Sequence, residues 1–173
     1  MKEKMYALAD KYYDDIVGTA QEMLRIKSTS GEEGELARYT ADTMKELGYD
    51  EVKIDAAGNV LGCVRGTGGG KSLMLNCHLD TVEEGDEALW KYGPRSGALA
   101  EGKLWGRGAS DTKGPFAIQV WVPAILKKEG LLPKGDLWVT GVVHEETSGL
   151  GATAMVKDGF HTDFAISGEA TEN

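Results

Sequence analysis

The run Ser72-Leu73-Met74-Leu75-Asn76-Cys77 is a short apolar stretch with the pattern of a strand, and His78-Leu79-Asp80 lies just beyond its end. A second run, Leu137 to Val143, is almost continuously apolar, as expected of a strand buried on both faces, and it leads into Glu145-Glu146. A third, Phe164 to Ser167, is followed by Glu169. Three strands that each run out into a histidine or an acid set the reading of the whole chain.

Upstream of them, Glu51 to Ile54 and Val60 to Val64 read as two further strands, divided by Asp55-Ala56-Ala57-Gly58-Asn59 and closed by the Gly66 to Gly70 turn. Helical patterns flank the strands. From Met5 to Ile26, apolar residues recur at three- and four-residue steps and predict one helix. Ser30 and Glu33 have capping-box spacing ahead of a second helix running to Leu47, with Gly48 as its stop. Gly114-Pro115 opens a helix reaching about Glu129, which Pro123 is predicted to kink or end early. Gly149 to Lys157 is a shorter one. Between Asp80 and Gly114 lies a long irregular stretch with a hairpin around Glu101-Gly102-Lys103, and loops of that length are usually functional. Strands alternating with helices give an α/β fold with a mixed, largely parallel sheet flanked by helices.

The chain has 173 residues, 41% hydrophobic and 27% charged, which fits one globular domain with a real core. A net charge of −9 argues against nucleic acid or an anionic membrane as partner. The charged start Met1-Lys2-Glu3-Lys4 lacks the apolar core of a signal peptide, and the expected location is the cytoplasm. Cys63 and Cys77 sit in strand patterns and read as two buried thiols.

In open α/β sheets ligands bind outside the carboxyl ends of the strands. If these strands are neighbours, His78, Glu145, Glu146, Glu169 and Asp111 (which ends the long loop) meet at one edge. Packed carboxylates resist ionisation unless a cation lies among them, and one imidazole with several carboxylates suits zinc, or cobalt or manganese. Each piece alone has a plainer reading as a surface acid, a turn residue or a helix cap; their coincidence at four strand or loop ends favours a metal. Asp80, two residues from His78, can hold the imidazole from behind.

Two nucleotide-like motifs compete with this reading. Gly70-Lys71-Ser72 lacks the first glycine of a phosphate loop, since position 65 is Arg65, and it opens a strand where a helix is required. Gly149-Leu150-Gly151-Ala152-Thr153-Ala154 fits a dinucleotide fingerprint, but Glu145 and Glu146 place two anions where a pyrophosphate would lie.

The run His78-Leu79-Asp80-Thr81-Val82, then Trp90 and Pro94, then Gly102 to Gly114, resembles the metal-binding signature of the acetylornithine deacetylase, succinyl-diaminopimelate desuccinylase, aminoacylase and glutamate carboxypeptidase group. Glu145-Glu146-Thr147 and Ser167-Gly168-Glu169-Ala170-Thr171 match its two later motifs in order and at similar spacing. The resemblance covers nearly the whole chain. It implies a zinc aminopeptidase/carboxypeptidase-like fold, incomplete at its C-terminal side, that hydrolyses the amide bond of an N-acyl amino acid or small peptide with two zinc ions. It further implies that His78 and Glu169 bind the first metal, Asp80 orients His78, Asp111 bridges both metals, Glu146 binds the second and Glu145 is the general base. A cis peptide at Asp111-Thr112 is also implied. On this pattern residues 1–173 would be the N-terminal portion of the catalytic domain, without the lid and dimerisation domain or the C-terminal segment carrying a last histidine; the longer protein would be a homodimer. Neither His144 nor His161 fills that last role, so the chain alone is expected to hold the first metal better than the second and to turn over weakly or not at all. The alternatives are a non-catalytic metal-binding fragment and a dinucleotide-binding module. Trp90, Trp105 and Trp121 fit core packing better than a substrate pocket.

Overall fold

A computed structural model describes residues 2–170. Its centre is a five-stranded sheet in the order β1-β2-β6-β3-β7, made of β1 (Glu51–Ile54), β2 (Val60–Val64), β3 (Leu73–His78), β6 (Leu137–Val142) and β7 (Phe164–Ser167). β3 pairs in parallel with β6 and with β7, whereas β1 and β2 add an antiparallel ribbon on the far side of β6. The sheet is therefore mixed, with its parallel part built from the three strands that lead into His78, Glu145-Glu146 and Glu169. The hairpin β4 (Ala98–Ala100) and β5 (Lys103–Trp105) stands apart, turning through Glu101 and Gly102 at φ 56° and 70°.

Alternation along the strands sorts side chains into two layers. Val60, Val64, Val139, Cys77 and Leu79 face one cluster, which α2 (Tyr13–Arg25), α3 (Gly34–Glu46) and α4 (Gly114–Lys128) complete with Met23, Leu36, Met44, Phe116 and Val120. Leu61 and Val142 face the opposite layer, where Met155 of α5 (Leu150–Lys157) packs on them. β2 and most of β6 are buried on both faces, as their unbroken apolar runs require. Both cysteines are buried free thiols.

Three local expectations change. The first helix is two, α1 (Lys2–Lys11) and α2, separated at Tyr12, whose ring packs on Ile125 and whose hydroxyl donates to Glu129. Pro123 lies inside α4 without ending it; the helix is held by burial along Phe116, Val120 and Ala124, which outweighs the lost backbone bond. The capping box before α3 does not form, because Ser30 and Glu33 turn to partners outside the helix. Gly48 does stop α3, at φ 82°.

Candidate metal centre

β3 is central among the parallel strands, and its last residue, His78, is only 1% exposed. β6 lies on one side and ends at Val142, after which the chain bends back through His144 in left-handed backbone (φ 55°) and presents Glu145 and Glu146. β7 lies on the other side and delivers Glu169 two residues past its end. The fourth contributor comes from the irregular turn before α4, where Asp111 has non-helical backbone and the Asp111–Thr112 peptide is cis, as the resemblance implied. Thr112 fixes this turn to the sheet by donating its hydroxyl to the His78 carbonyl. Lys113, buried, anchors it from the other side by donating to the carbonyls of Met23 and Ile26 at the end of α2.

The four side chains converge. His78 Nε2 lies 2.8 Å from Asp111 Oδ1 and 3.8 Å from Glu169 Oε2. Ligand atoms of His78, Asp111 and Glu146 all lie within 4.8 Å of one another. Glu145 stands exposed beside them. Asp80 sits behind His78 as expected, but its contact differs in detail. The short partner of Nδ1 is the Asp80 main-chain carbonyl at 2.8 Å, while its carboxylate is 3.5 Å away. That carboxylate, fully buried, accepts instead from the Ser30 hydroxyl and from the backbone N–H groups of Glu145 and Glu146.

The electrostatics follow from this packing. Burial alone would lower the His78 pKa, but hydrogen bonds to Asp80 and Asp111 outweigh it and hold the imidazole at about 9. Burial pushes the Asp80 carboxyl up, yet the His78 ring, the Ser30 hydroxyl and the two backbone amides bring it down to about 2. Glu146 is raised by burial and then by the neighbouring Asp111; Glu169 is raised by burial, with Glu145 and Asp111 adding and His78 opposing. These acids resist ionisation first because burial strips away solvent and then because neighbouring acids crowd them.

The donor set fits a divalent cation. With Nδ1–H donated to the Asp80 carbonyl, Nε2 presents a lone pair to the Asp111 carboxylate, and two acceptors 2.8 Å apart need a proton or a metal between them. Ligand atoms around tetrahedral zinc stand roughly 3.3 Å apart. The two exposed carboxylates, Asp111 at 53% and Glu169 at 40%, can move by such an amount around a fixed imidazole.

Other sequence expectations resolve simply. His144 is not on the strand; its ring contacts Thr147, away from the acids. His161 is exposed and precedes β7, at the end of the sheet opposite the acids. Trp90 donates to the loop carbonyl of Glu84, Trp105 to the carbonyl of Ala100 at the end of β4, and Trp121 packs on Tyr12. The dinucleotide-like glycines have packing reasons: Gly149 turns into α5 at φ 64°, and a Cβ on Gly151 would meet the Val143 backbone at 2.6 Å. Thr171, the last residue of the final motif, lies outside the described residues. Glu33 escaped sequence reading, since its spacing with Ser30 is accounted for by a local cap.

Comparison with known proteins gives a consistent answer. Residues 74–172 match peptidase family M20/M25/M40. The chain is 34% identical over 167 residues to YgeY of Escherichia coli strain K12, covering 95% of this chain and 41% of that protein. It is 28% identical over 187 residues to N-formyl-4-amino-5-aminomethyl-2-methylpyrimidine deformylase of Bacillus subtilis, covering 99% of this chain and 43% of that one. Among solved structures, human carnosine dipeptidase 1 superposes with a TM-score of 0.87 at 20% identity, covering 99% of this chain and 42% of the dipeptidase. The chain thus spans less than half the length of these relatives.

Proposed function

The chain belongs to peptidase family M20/M25/M40, and from that premise we propose that it is the N-terminal, metal-binding portion of a hydrolase that cleaves the amide bond of an N-acyl amino acid or small peptide. The observation that carries this reading is the convergence of His78, Asp111, Glu146 and Glu169 at the carboxyl ends of adjacent parallel strands. His78 and Glu169 would hold a first metal, Asp111 would be shared between two, and Glu146 would hold a second; zinc is the expected ion, with cobalt or manganese as substitutes. Metal bound there would supply Lewis-acid polarisation of the scissile carbonyl and a more acidic attacking water. Glu145, exposed at the mouth of the site, takes that water's proton on a carboxylate oxygen and returns it to the leaving amine, so that the products are a carboxylate and an amine. Asp80 fixes the imidazole through its main-chain carbonyl, keeping Nε2 directed at the acids.

Relatives named a deformylase and a dipeptidase both act on amide bonds, which supports the reaction class. The relatives extend well beyond the matched region, and we propose that a lid and dimerisation domain and a further catalytic segment make up the remainder. The test is Glu145→Gln in the protein carrying that remainder, screened with acyl-amino acids and dipeptides. Metal content should be unchanged and turnover should fall about 100- to 10,000-fold; undiminished turnover would refute the assignment.

A further inference from the structure

The turn carrying Glu145 and Glu146 hangs from two buried carboxylates, one of which lies outside every metal-binding motif. Asp80 Oδ1 accepts from the Glu145 N–H at 2.9 Å and Oδ2 from the Glu146 N–H at 3.1 Å. The preceding N–H, of His144, goes to Glu33 Oε1 at 3.0 Å. Glu33 is 4% exposed, and its other oxygen accepts from the Gly31 N–H at 2.9 Å. Among the described residues no cation lies within ion-pair distance of it. Burying a carboxylate is costly unless its lone pairs are filled, and here backbone amides fill them. Ser30 completes the set by donating its hydroxyl to Asp80 Oδ2 at 2.7 Å. One short loop, residues 30–33, therefore supplies one anchor, Glu33, and braces the other, Asp80, through Ser30, where His144 adopts a left-handed conformation that a residue with a Cβ seldom takes.

We propose that Ser30 and Glu33 are positioning residues for Glu145 and Glu146: they set the height and direction of that turn without touching metal or substrate. The inference rests on the metal reading above. Its test is a Co2+ titration of the chain followed by visible absorption, with thermal unfolding by circular dichroism measured on each protein. Glu33→Gln leaves one oxygen for two N–H groups; Ser30→Ala removes one hydroxyl from a half-buried position and spares the fold. Asp136→Asn is the control, since that carboxylate also accepts a backbone N–H, from Gly66, but at the opposite end of β6. Both loop variants should weaken Co2+ binding about tenfold and change the shape of the absorption band, with the control unaltered. Parent-like affinity and band shape in both loop variants, or an equal loss in the control, would overturn the positioning role and leave the metal reading standing. A parent chain that binds no Co2+ would remove both. Should Glu33→Gln fail to fold, Ser30→Ala decides the matter.

Discussion

His78 Nε2 and Asp111 Oδ1 face each other across 2.8 Å, and whatever lies between them is positively charged. Without metal that charge is a proton on a ring held at about 9; on the proposed reading the same nitrogen would be a metal ligand. A ligand that binds only the folded chain stabilises it by about 2.7 kcal/mol at a hundredfold excess over Kd. Zinc should therefore raise the unfolding temperature of the chain, and His78→Ala should abolish that rise; an equal rise in the variant, seen by scanning calorimetry, would show the ion binding elsewhere. Asp80 illustrates how a residue reads at this scale. Its spacing from His78 pointed to a carboxylate behind the ring; the carboxylate lies there at 3.5 Å, but the main-chain carbonyl at 2.8 Å is the nearer partner, and the carboxylate also holds the turn after β6. Spacing told which side of the strand Asp80 faces, but not which of its oxygens is closest.

Elements were legible where burial and local pattern agree. Strands β2, β3 and β6, the stop at Gly48 and the hairpin at Glu101-Gly102 all appear as their sequences predict. They were misread where a distant partner competes with a local one. Ser30 and Glu33 satisfy a capping box on paper, yet the buried Asp80 claims the first and the His144 amide, 111 residues away, claims the second. Gly149 and Gly151 fit a nucleotide fingerprint, yet Gly151 is glycine because α5 presses on Val143. Gly151→Ala must displace α5 from the end of β6, and overpacking of this kind costs about 1–3 kcal/mol. Chemical denaturation should show that loss, with Gly149→Ala straining a left-handed cap instead. An unchanged midpoint for Gly151→Ala would mean that the helix is free to shift.

Among the described residues the sheet is uncovered along its β7 edge. β7 pairs on one side only, with β3, and presents Phe164 at 56% and Ile166 at 53% exposure. Unpaired edges with apolar side chains recruit other strands. The chain alone should self-associate as its concentration rises, and Ile166→Lys should reduce that association in sedimentation velocity. Equal association in the variant would place the sticky surface elsewhere. No helix among the described residues is long and apolar enough to cross a membrane.

Read by itself, the sequence determined which strands exist, which of them run out into a histidine or an acid, and which family's motifs they carry. Strand periodicity and chain order are local properties, and they survive in one dimension. Only the tertiary structure decided that β6, β3 and β7 lie side by side, that the Asp111 turn reaches His78, and that loop 30–33 holds the Glu145–Glu146 turn. Those depend on hydrogen bonds between groups 33 to 111 residues apart, whose partners are chosen by burial of the whole core and by no neighbouring residue.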